Sequence, residues 1–488
     1  MLFNSSIFLL IFWPLTGIIT WLLARKQGIA AQVFLAAASI VFYGWWNPAH
    51  VVLLLGSIFA NYGIGCLMFR AGAATKRTLL ILGILLNIGL LAYYKYWTFL
   101  CENLGVWLNF EPPADPILLP LAISFFTFTQ ITYLCDLVAG KIESNGLWDY
   151  VLFVAFFPHL IAGPIVHHRQ LTPQFRGERV FRLRLENFVP GVALFILGLS
   201  KKMLIADTFA PFADQVFQQA STGMAVPVLQ AWYGVLAYAW QIYFDFSGYS
   251  DMALGLALTF NLRFPANFFS PYKADSVISF WRRWHITLSQ FLRDYLYIPL
   301  GGSRSGMTRM LANLLITMLI GGLWHGAKWT FVFWGGLHGL FLVINHLWNR
   351  LRQKKGWNEL PRAVAIPLTL VCVLIAWVFF RADTFAGAWK VVGSMFGAGM
   401  GEASAPFSVK GGEALLMLAA LFIVLKAPNT MQIMKSARPF LGDAPCADAE
   451  SMPLEWRLTP RWAAACGILF AACLIRLNQP SPFIYFQF

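Results

Sequence analysis

Three short stretches of this 488-residue chain set polar chemistry inside apolar sequence. The first is Gly321-Gly322-Leu323-Trp324-His325-Gly326, which closes an apolar run from Leu311. Glycines there let backbone or substrate come close, and they weaken the helix so that peptide groups can turn toward a ligand. A plain reading of His325 is an imidazole bonded to a neighbouring carbonyl. The glycine setting and a second intramembrane histidine favour a functional one. The second stretch is Phe280-Trp281-Arg282-Arg283-Trp284-His285-Ile286-Thr287-Leu288-Ser289, followed by Arg293-Asp294-Tyr295-Leu296-Tyr297. Helical spacing predicts Trp281, Trp284, His285 and Leu288 on one face. Alone, Trp-Arg-Arg-Trp reads as an interfacial anchor with snorkelling arginines. The third stretch, Tyr243 to Asp251, carries Asp245 and Asp251. Carboxylates are costly against lipid, so both are expected to face the protein interior. Orienting backbone amides or pairing with arginines is their favoured role, and acid catalysis the lesser one.

The chemistry that wants such a histidine is acyl transfer to a hydroxyl. An alcohol is a weak nucleophile near neutral pH, and a neutral imidazole can take its proton as it attacks a thioester. The reaction also needs a stabiliser for the tetrahedral oxyanion and a dry site that excludes hydrolysis. Glycine-flanked amides, Trp N–H groups or an arginine could stabilise the oxyanion. His338 and His346 read as core hydrogen-bonding residues, and His50 as a loop residue. His159, His167 and His168 lack carboxylate or thiol partners at a metal-binding spacing, so no metal is expected. Seven cysteines show no C-x-x-C, and Cys466 and Cys473, seven apart on one helix, read as apolar packing residues.

The elements that position these residues follow from composition. Hydrophobic residues are 58%, charged residues 12%, and mean hydropathy is +0.63. A soluble domain carries roughly twice that charged fraction. Backbone polar groups must then be satisfied internally, which predicts an all-α polytopic membrane protein rather than a barrel. Net charge of +14 reads as basic residues at cytoplasmic helix ends, not as a nucleic-acid surface. Apolar stretches fall at about 3–24, 30–46, 49–69, 78–100, 117–139, 150–166, 189–207, 228–260, 310–323, 328–348, 362–380, 413–426 and 462–477. The first has no basic residue ahead of it, so it reads as a retained span with its N-terminus outside. One membrane domain is expected, with N-terminal spans over 1–140, a re-entrant and catalytic core over 150–350, and C-terminal spans over 360–488. The region 436–461 is expected to be extramembranous.

Loop charges test this layout. Arg25 and Lys26 lie inside, the Trp46-Asn47-Pro48 turn outside, Arg70, Lys76 and Arg77 inside, and Glu102, Glu111 and Asp115 outside. The alternation then breaks. The 141–149 segment belongs inside, yet so does the next loop, with Arg169, Arg176, Arg179, Arg182 and Arg184. The segment 150–166, interrupted at Phe157-Pro158 and Gly163-Pro164, is therefore predicted to enter and return on the same side.

Residues 157–164, Tyr243 to Ala253, Phe280 to Ser289, Arg293 to Arg304, Gly321 to Ala327 and the terminal 483–488 resemble the membrane-bound O-acyltransferase family in its bacterial alginate O-acetyltransferase-like branch. The resemblance implies a ring of about 11–13 transmembrane or re-entrant helices around a central funnel. It implies a bacterial inner-membrane enzyme that takes acetyl groups from cytoplasmic acetyl-CoA and holds no bound cofactor. Delivery would be to a polysaccharide acceptor, with a periplasmic or membrane-anchored SGNH-type acetyltransferase as partner. The two family histidines fall on His325 and His285, the catalytic candidates. The arginine-rich loops 168–184 and 273–309 are candidates for holding donor phosphates. Thr287 stands where the family often has Ser, and Ser303 where Asn is common. The same chemistry on peptidoglycan or cellulose is an alternative. A polysaccharide or ion-coupled transporter is another, although no repeated half is evident. A purely structural subunit of an export complex is a third.

Overall fold

In a computed structural model of the chain, the residues described are 1–108, 117–142, 146–177, 180–304, 306–398, 410–442, 454–479, 481, 483 and 484. Glu111, Asp115, Arg179, Cys446, part of the 436–461 stretch and residues 485–488 of the terminal motif lie outside them.

The chain is a predominantly α-helical polytopic membrane protein. It opens with α1 (Trp13–Lys26), α2 (Gly28–Gly44), α3 (Ala49–Arg70), α4 (Ala73–Leu91), α5 (Trp97–Leu108) and α6 (Ile123–Val138). The central part holds α7 (Leu147–Ala155), α8 (Phe157–Leu160), α9 (His168–Leu171), α10 (Leu185–Ser200), α11 (Asp207–Ser221) and α12 (Val228–Thr259). Next come α13 (Val277–Trp281), α14 (Ile286–Leu292), α15 (Met307–His325), α16 (Trp329–Lys355) and α17 (Arg362–Arg381). The chain closes with α18 (Phe385–Met395), α19 (Gly411–Leu425), α20 (Thr430–Ile433) and α21 (Pro460–Ile475). Among the described residues seven helices are long and apolar enough to cross a membrane, and four shorter apolar helices accompany them. Leu10, Val52, Leu85, Leu418 and Ile468 are exposed on the outer helices, as lipid-facing residues should be. Polar groups turn inward instead. The Asn87 amide donates to Asn61 Oδ1 at 2.7 Å, and the Gln130 amide donates to Ser57 Oγ at 2.8 Å. Such bonds tie neighbouring helices where apolar packing against lipid gives no preference.

Two ends of the bundle can be told apart by charge. Arg182 Nε donates to the carbonyl of Ala24 at the Arg25/Lys26 end of α1. Lys141 and Arg169 both approach Asp136, at 3.4 and 3.7 Å. Asp149, at the start of α7, accepts from Gln32 Nε2 at 2.7 Å and pairs with Arg176 at 3.6 Å. The segment from Asp149 to Arg176 thus leaves the basic end and comes back to it. Its helix breaks after Ala155, where Phe156 leaves the helical conformation (φ −54°, ψ 112°), and every residue from Tyr150 to His168 is buried. A break together with full burial is what a segment that turns back within a membrane bundle requires.

The centre is α12. All its residues from Ile242 to Thr259 are buried. It lies backbone to backbone with α10 because glycines face glycines. A Cβ on Gly198 would stand 2.6 Å from the Gly248 carbonyl, and one on Gly248 would stand 2.7 Å from the Gly198 carbonyl. Small residues at this spacing are what lets two membrane helices touch. A two-residue parallel pairing, Phe264–Pro265 with Phe440–Leu441, ties the loop after α12 to the C-terminal region.

Candidate active site

His325 is the last residue of α15, so the carbonyls of its final turn have no helical partner. Two residues of the π-helical turn Ala92–Tyr96 supply donors. Lys95 Nζ reaches the carbonyls of Trp324 at 2.6 Å and His325 at 3.1 Å, and Ser124 Oγ at 3.3 Å. Tyr96 Oη donates to the Leu323 carbonyl at 3.0 Å. The glycines ahead of His325 serve helix packing. A Cβ on Gly322 would collide with the Phe331 carbonyl of α16, and one on Gly335 with the Met318 carbonyl. Of the two uses that the sequence left open for these glycines, the close neighbour is backbone, and α15 continues unbroken through them.

His285 sits differently from the sequence expectation. No single helix carries Trp281, Trp284, His285 and Leu288 on one face. α13 ends at Trp281, His285 has a left-handed backbone (φ 42°), and α14 begins at Ile286. The cause is Asn267, in the loop after α12. Its backbone carbonyl accepts from Ile286 N at 2.9 Å, and its Oδ1 accepts from Thr287 Oγ1 at 2.9 Å. The same Oδ1 lies 3.1 Å from His285 Nδ1. The Thr287 backbone N–H, which can only donate, reaches the same Oδ1 at 3.4 Å, and Asn267 Nδ2 donates to Ser250 Oγ at 3.1 Å, so Oδ1 is the acceptor. His285 therefore carries its proton on Nδ1. Its buried Nε2 has no hydrogen-bond partner among the described residues. This bonding turns a basic lone pair toward the interior.

The two imidazoles meet at one indole. The Trp324 ring lies 4.9 Å from His325 and 6.3 Å from His285, centroid to centroid. Trp334 and Phe380, each 5.1 Å from His325, complete the aromatic wall. The Nε1–H groups of Trp324 and Trp334 are buried and find no acceptor among the described residues. A cavity of about 290 Å³ reaches His325 from the end bearing the Trp46 turn, lined also by Lys95, Ser124, Ile161 and Trp324. A second cavity, of about 670 Å³, opens toward the other end of α15 and is lined by Trp281, Arg282, Arg293, Tyr297, Thr317 and His346. Between them stand His338 and Trp334. Trp281 lies 5.1 Å from His338 and 5.9 Å from Trp334.

Other expectations come out with changes. Asp245 and Asp251 are buried as expected, but their partners are lysines. Lys202 Nζ is 2.6 Å from Asp245 and 2.6 Å from Asp207, and Lys201 Nζ is 2.6 Å from Asp251. The π-helical turn Lys201–Ala206 sets these adjacent lysines against α12. Ile484 N also donates to Asp245 Oδ2, at 3.2 Å. His338 makes no core hydrogen bond, since neither ring nitrogen has a partner among the described residues. His50 belongs to the first turn of α3, not to a loop. Trp284 is buried rather than interfacial, stacked on Phe280 at 5.7 Å and tilted against Trp377 at 4.9 Å. His159 bonds the Phe153 carbonyl, His168 bonds Thr172, and His167 bonds Tyr295. Cys466 and Cys473 are buried free thiols, in keeping with packing residues. Sequence reasoning missed Lys95, although a lone cation in the apolar stretch 78–100 was a signal of the kind that marked Asp245. It missed Asn267 with no signal to find it by.

A family model described as the membrane-bound O-acyltransferase family matches residues 123–383, more than half of the chain. The chain belongs to the membrane-bound O-acyltransferase family. This acyltransferase is similar over its whole length to a probable alginate O-acetylase of Pseudomonas putida, with 38% identity and 100% of each chain covered. It is also similar to a peptidoglycan O-acetyltransferase of Helicobacter pylori, with 40% identity over 81% of this chain and 80% of that one. A teichoic acid D-alanyltransferase of Streptococcus thermophilus matches at 27% identity over 53% of this chain and 68% of its own. The matched stretch contains both histidines, Asn267 and the aromatic wall.

Proposed function

We propose that this acyltransferase is an O-acetyltransferase of the bacterial inner membrane that moves acetyl groups from cytoplasmic acetyl-CoA outward, for O-acetylation of an alginate-type cell-envelope polysaccharide. One observation carries the reading. Two histidines distant in sequence converge on one indole, between cavities opening toward opposite ends of the molecule. Arg282 and Arg293 on the larger cavity suit the donor's phosphates. The thioester arm then lies toward Trp281 and Trp334, and the acceptor hydroxyl enters by way of Lys95 and Trp324. The hydroxyl oxygen bonds the acetyl carbon, the C–S bond breaks with its electrons on sulfur, and the hydroxyl proton passes through the imidazole to the thiolate. The products are an acetyl ester and free CoA thiol. His325 is the base beside the acceptor cavity, and His285, with its lone pair on Nε2, is the second catalytic imidazole. The indole N–H groups of Trp324 and Trp334 are the donors available to the oxyanion.

The hydroxyl belongs to the polymer or to a periplasmic or membrane-anchored SGNH-type partner that relays the group. Peptidoglycan is the second reading of the acceptor, favoured by the similarity to the Helicobacter pylori protein. The test is transfer of radiolabel from acetyl-CoA in proteoliposomes or intact cells, comparing wild type with His325→Ala and His285→Ala. Properly inserted His325→Ala is expected to lose transfer. Label moving at the wild-type rate would overturn the assignment.

A further inference from the structure

We infer that Lys95 is a positioning residue for His325, holding the last turn of α15 so that the imidazole faces the acceptor cavity. This rests on the proposed role of His325 as base. The argument begins with donor counting. An ammonium has three N–H groups. Lys95 Nζ has three acceptors, the carbonyls of Trp324 and His325 and the hydroxyl of Ser124, at 2.6, 3.1 and 3.3 Å. No proton is left over for a substrate oxyanion, although Lys95 lines the cavity that His325 also lines. Its charge therefore acts on the enzyme.

Two further features give that charge its effect. Its carbonyl partners are at the C-terminus of a 19-residue helix, where the helix dipole is negative and a cation is favoured. The ammonium also lies 5.8 Å from the centroid of the Trp324 ring, which both imidazoles touch. One cation thus fixes the backbone of His325 and the indole between the two histidines. Lys95 comes from the Ala92–Tyr96 turn, where the helix widens to π geometry before continuing as α5. Tyr96 Oη grips the preceding carbonyl, Leu323. The turn thus meets three consecutive carbonyls of the His325 helix.

The experiment compares wild type, Lys95→Met, Lys95→Arg and His325→Ala as full-length proteins in proteoliposomes. Acetyl transfer gives kcat and the KM for acetyl-CoA. Mass spectrometry gives the rate at which diethylpyrocarbonate modifies His325. Lys95→Met is expected to lower kcat by about 10- to 100-fold with KM changed less than about twofold, and to slow modification of His325. Lys95→Arg, which keeps the cation, is expected to recover part of the kcat. Lys95→Gln, keeping two N–H donors without the charge, serves if Lys95→Met does not accumulate, and the same outcomes are read from it. A folded variant with wild-type kcat, or one whose loss is all in KM, overturns the inference. If His325→Ala also keeps wild-type kcat, the proposed function falls with it. If His325→Ala is inactive, only the role of Lys95 is lost.

Discussion

Replacing Lys202 by Met is expected to destabilise the protein strongly, and replacing Asp245 by Asn at the same time to recover much of the loss. Lys202 Nζ is 2.6 Å from a carboxylate oxygen of Asp245 and 2.6 Å from one of Asp207. The side chains of Lys202 and Asp245 are 3% and 1% exposed, so water screens that pair little. At an effective dielectric near 20, each contact is worth about 6 kcal/mol of attraction before desolvation. Desolvation of the ions offsets most of that, so the pair as formed adds little to stability. Removing only the lysine leaves two carboxylates near each other without their cation, a loss of about 3–5 kcal/mol. The double variant leaves one carboxylate and a neutral amide, so a favourable coupling of about 2–3 kcal/mol is expected across the cycle. Thermal unfolding in detergent can be followed by a thiol-reactive dye, because Cys466 and Cys473 are buried until the helices separate. Transfer activity per folded molecule is measured alongside. Asp245→Asn should keep its activity within about threefold, since the carboxylate is committed to Lys202 and the Ile484 amide. A stable Lys202→Met would refute the electrostatic reasoning. A folded, inactive Asp245→Asn would return Asp245 to the chemistry.

Asn267→Leu removes the acceptor shared by His285 and Thr287. The lost bond should shift the His285 tautomer ratio by about 2- to 13-fold and lower kcat at least as much, and unchanged kcat in a folded variant would exclude that orienting role. Gly198→Ala forces a methyl against the Gly248 carbonyl and should cost about 1–3 kcal/mol in detergent unfolding. Gly63→Ala, with nothing within 4 Å, should leave stability equal or higher by about 0.5–1 kcal/mol. Replacing Arg282 and Arg293 together by Ala should raise the KM for acetyl-CoA about tenfold or more with kcat retained. A fall in kcat at constant KM would move the donor phosphates elsewhere.

The class of this protein was legible in its composition, because a chain with so few charges cannot face water along its length. The interruption of the apolar run between Asp149 and Arg176 was legible too, in Phe157-Pro158 and Gly163-Pro164. Arginines cannot be placed freely across a bilayer, so an interrupted apolar run between two basic loops has one economical path. His325 and His285 stood out because an imidazole within apolar sequence is rare. The resemblance to a family then set the expected reaction on them.

The site itself was decided in three dimensions. Helical periodicity put Trp281, Trp284 and His285 on one face, since it assumes one backbone conformation throughout. An asparagine in the loop after α12 overrides that by binding the backbone of Ile286 and the side chains of His285 and Thr287. The lysine partners of Asp245 and Asp251, and the use of Gly322 by α16, were likewise invisible, because each depends on which helix lies next to which. Sequence thus determined which groups could not face lipid. Only the tertiary structure decided what each of them meets, because a buried polar group takes its partner from whatever helix packing brings within hydrogen-bond reach.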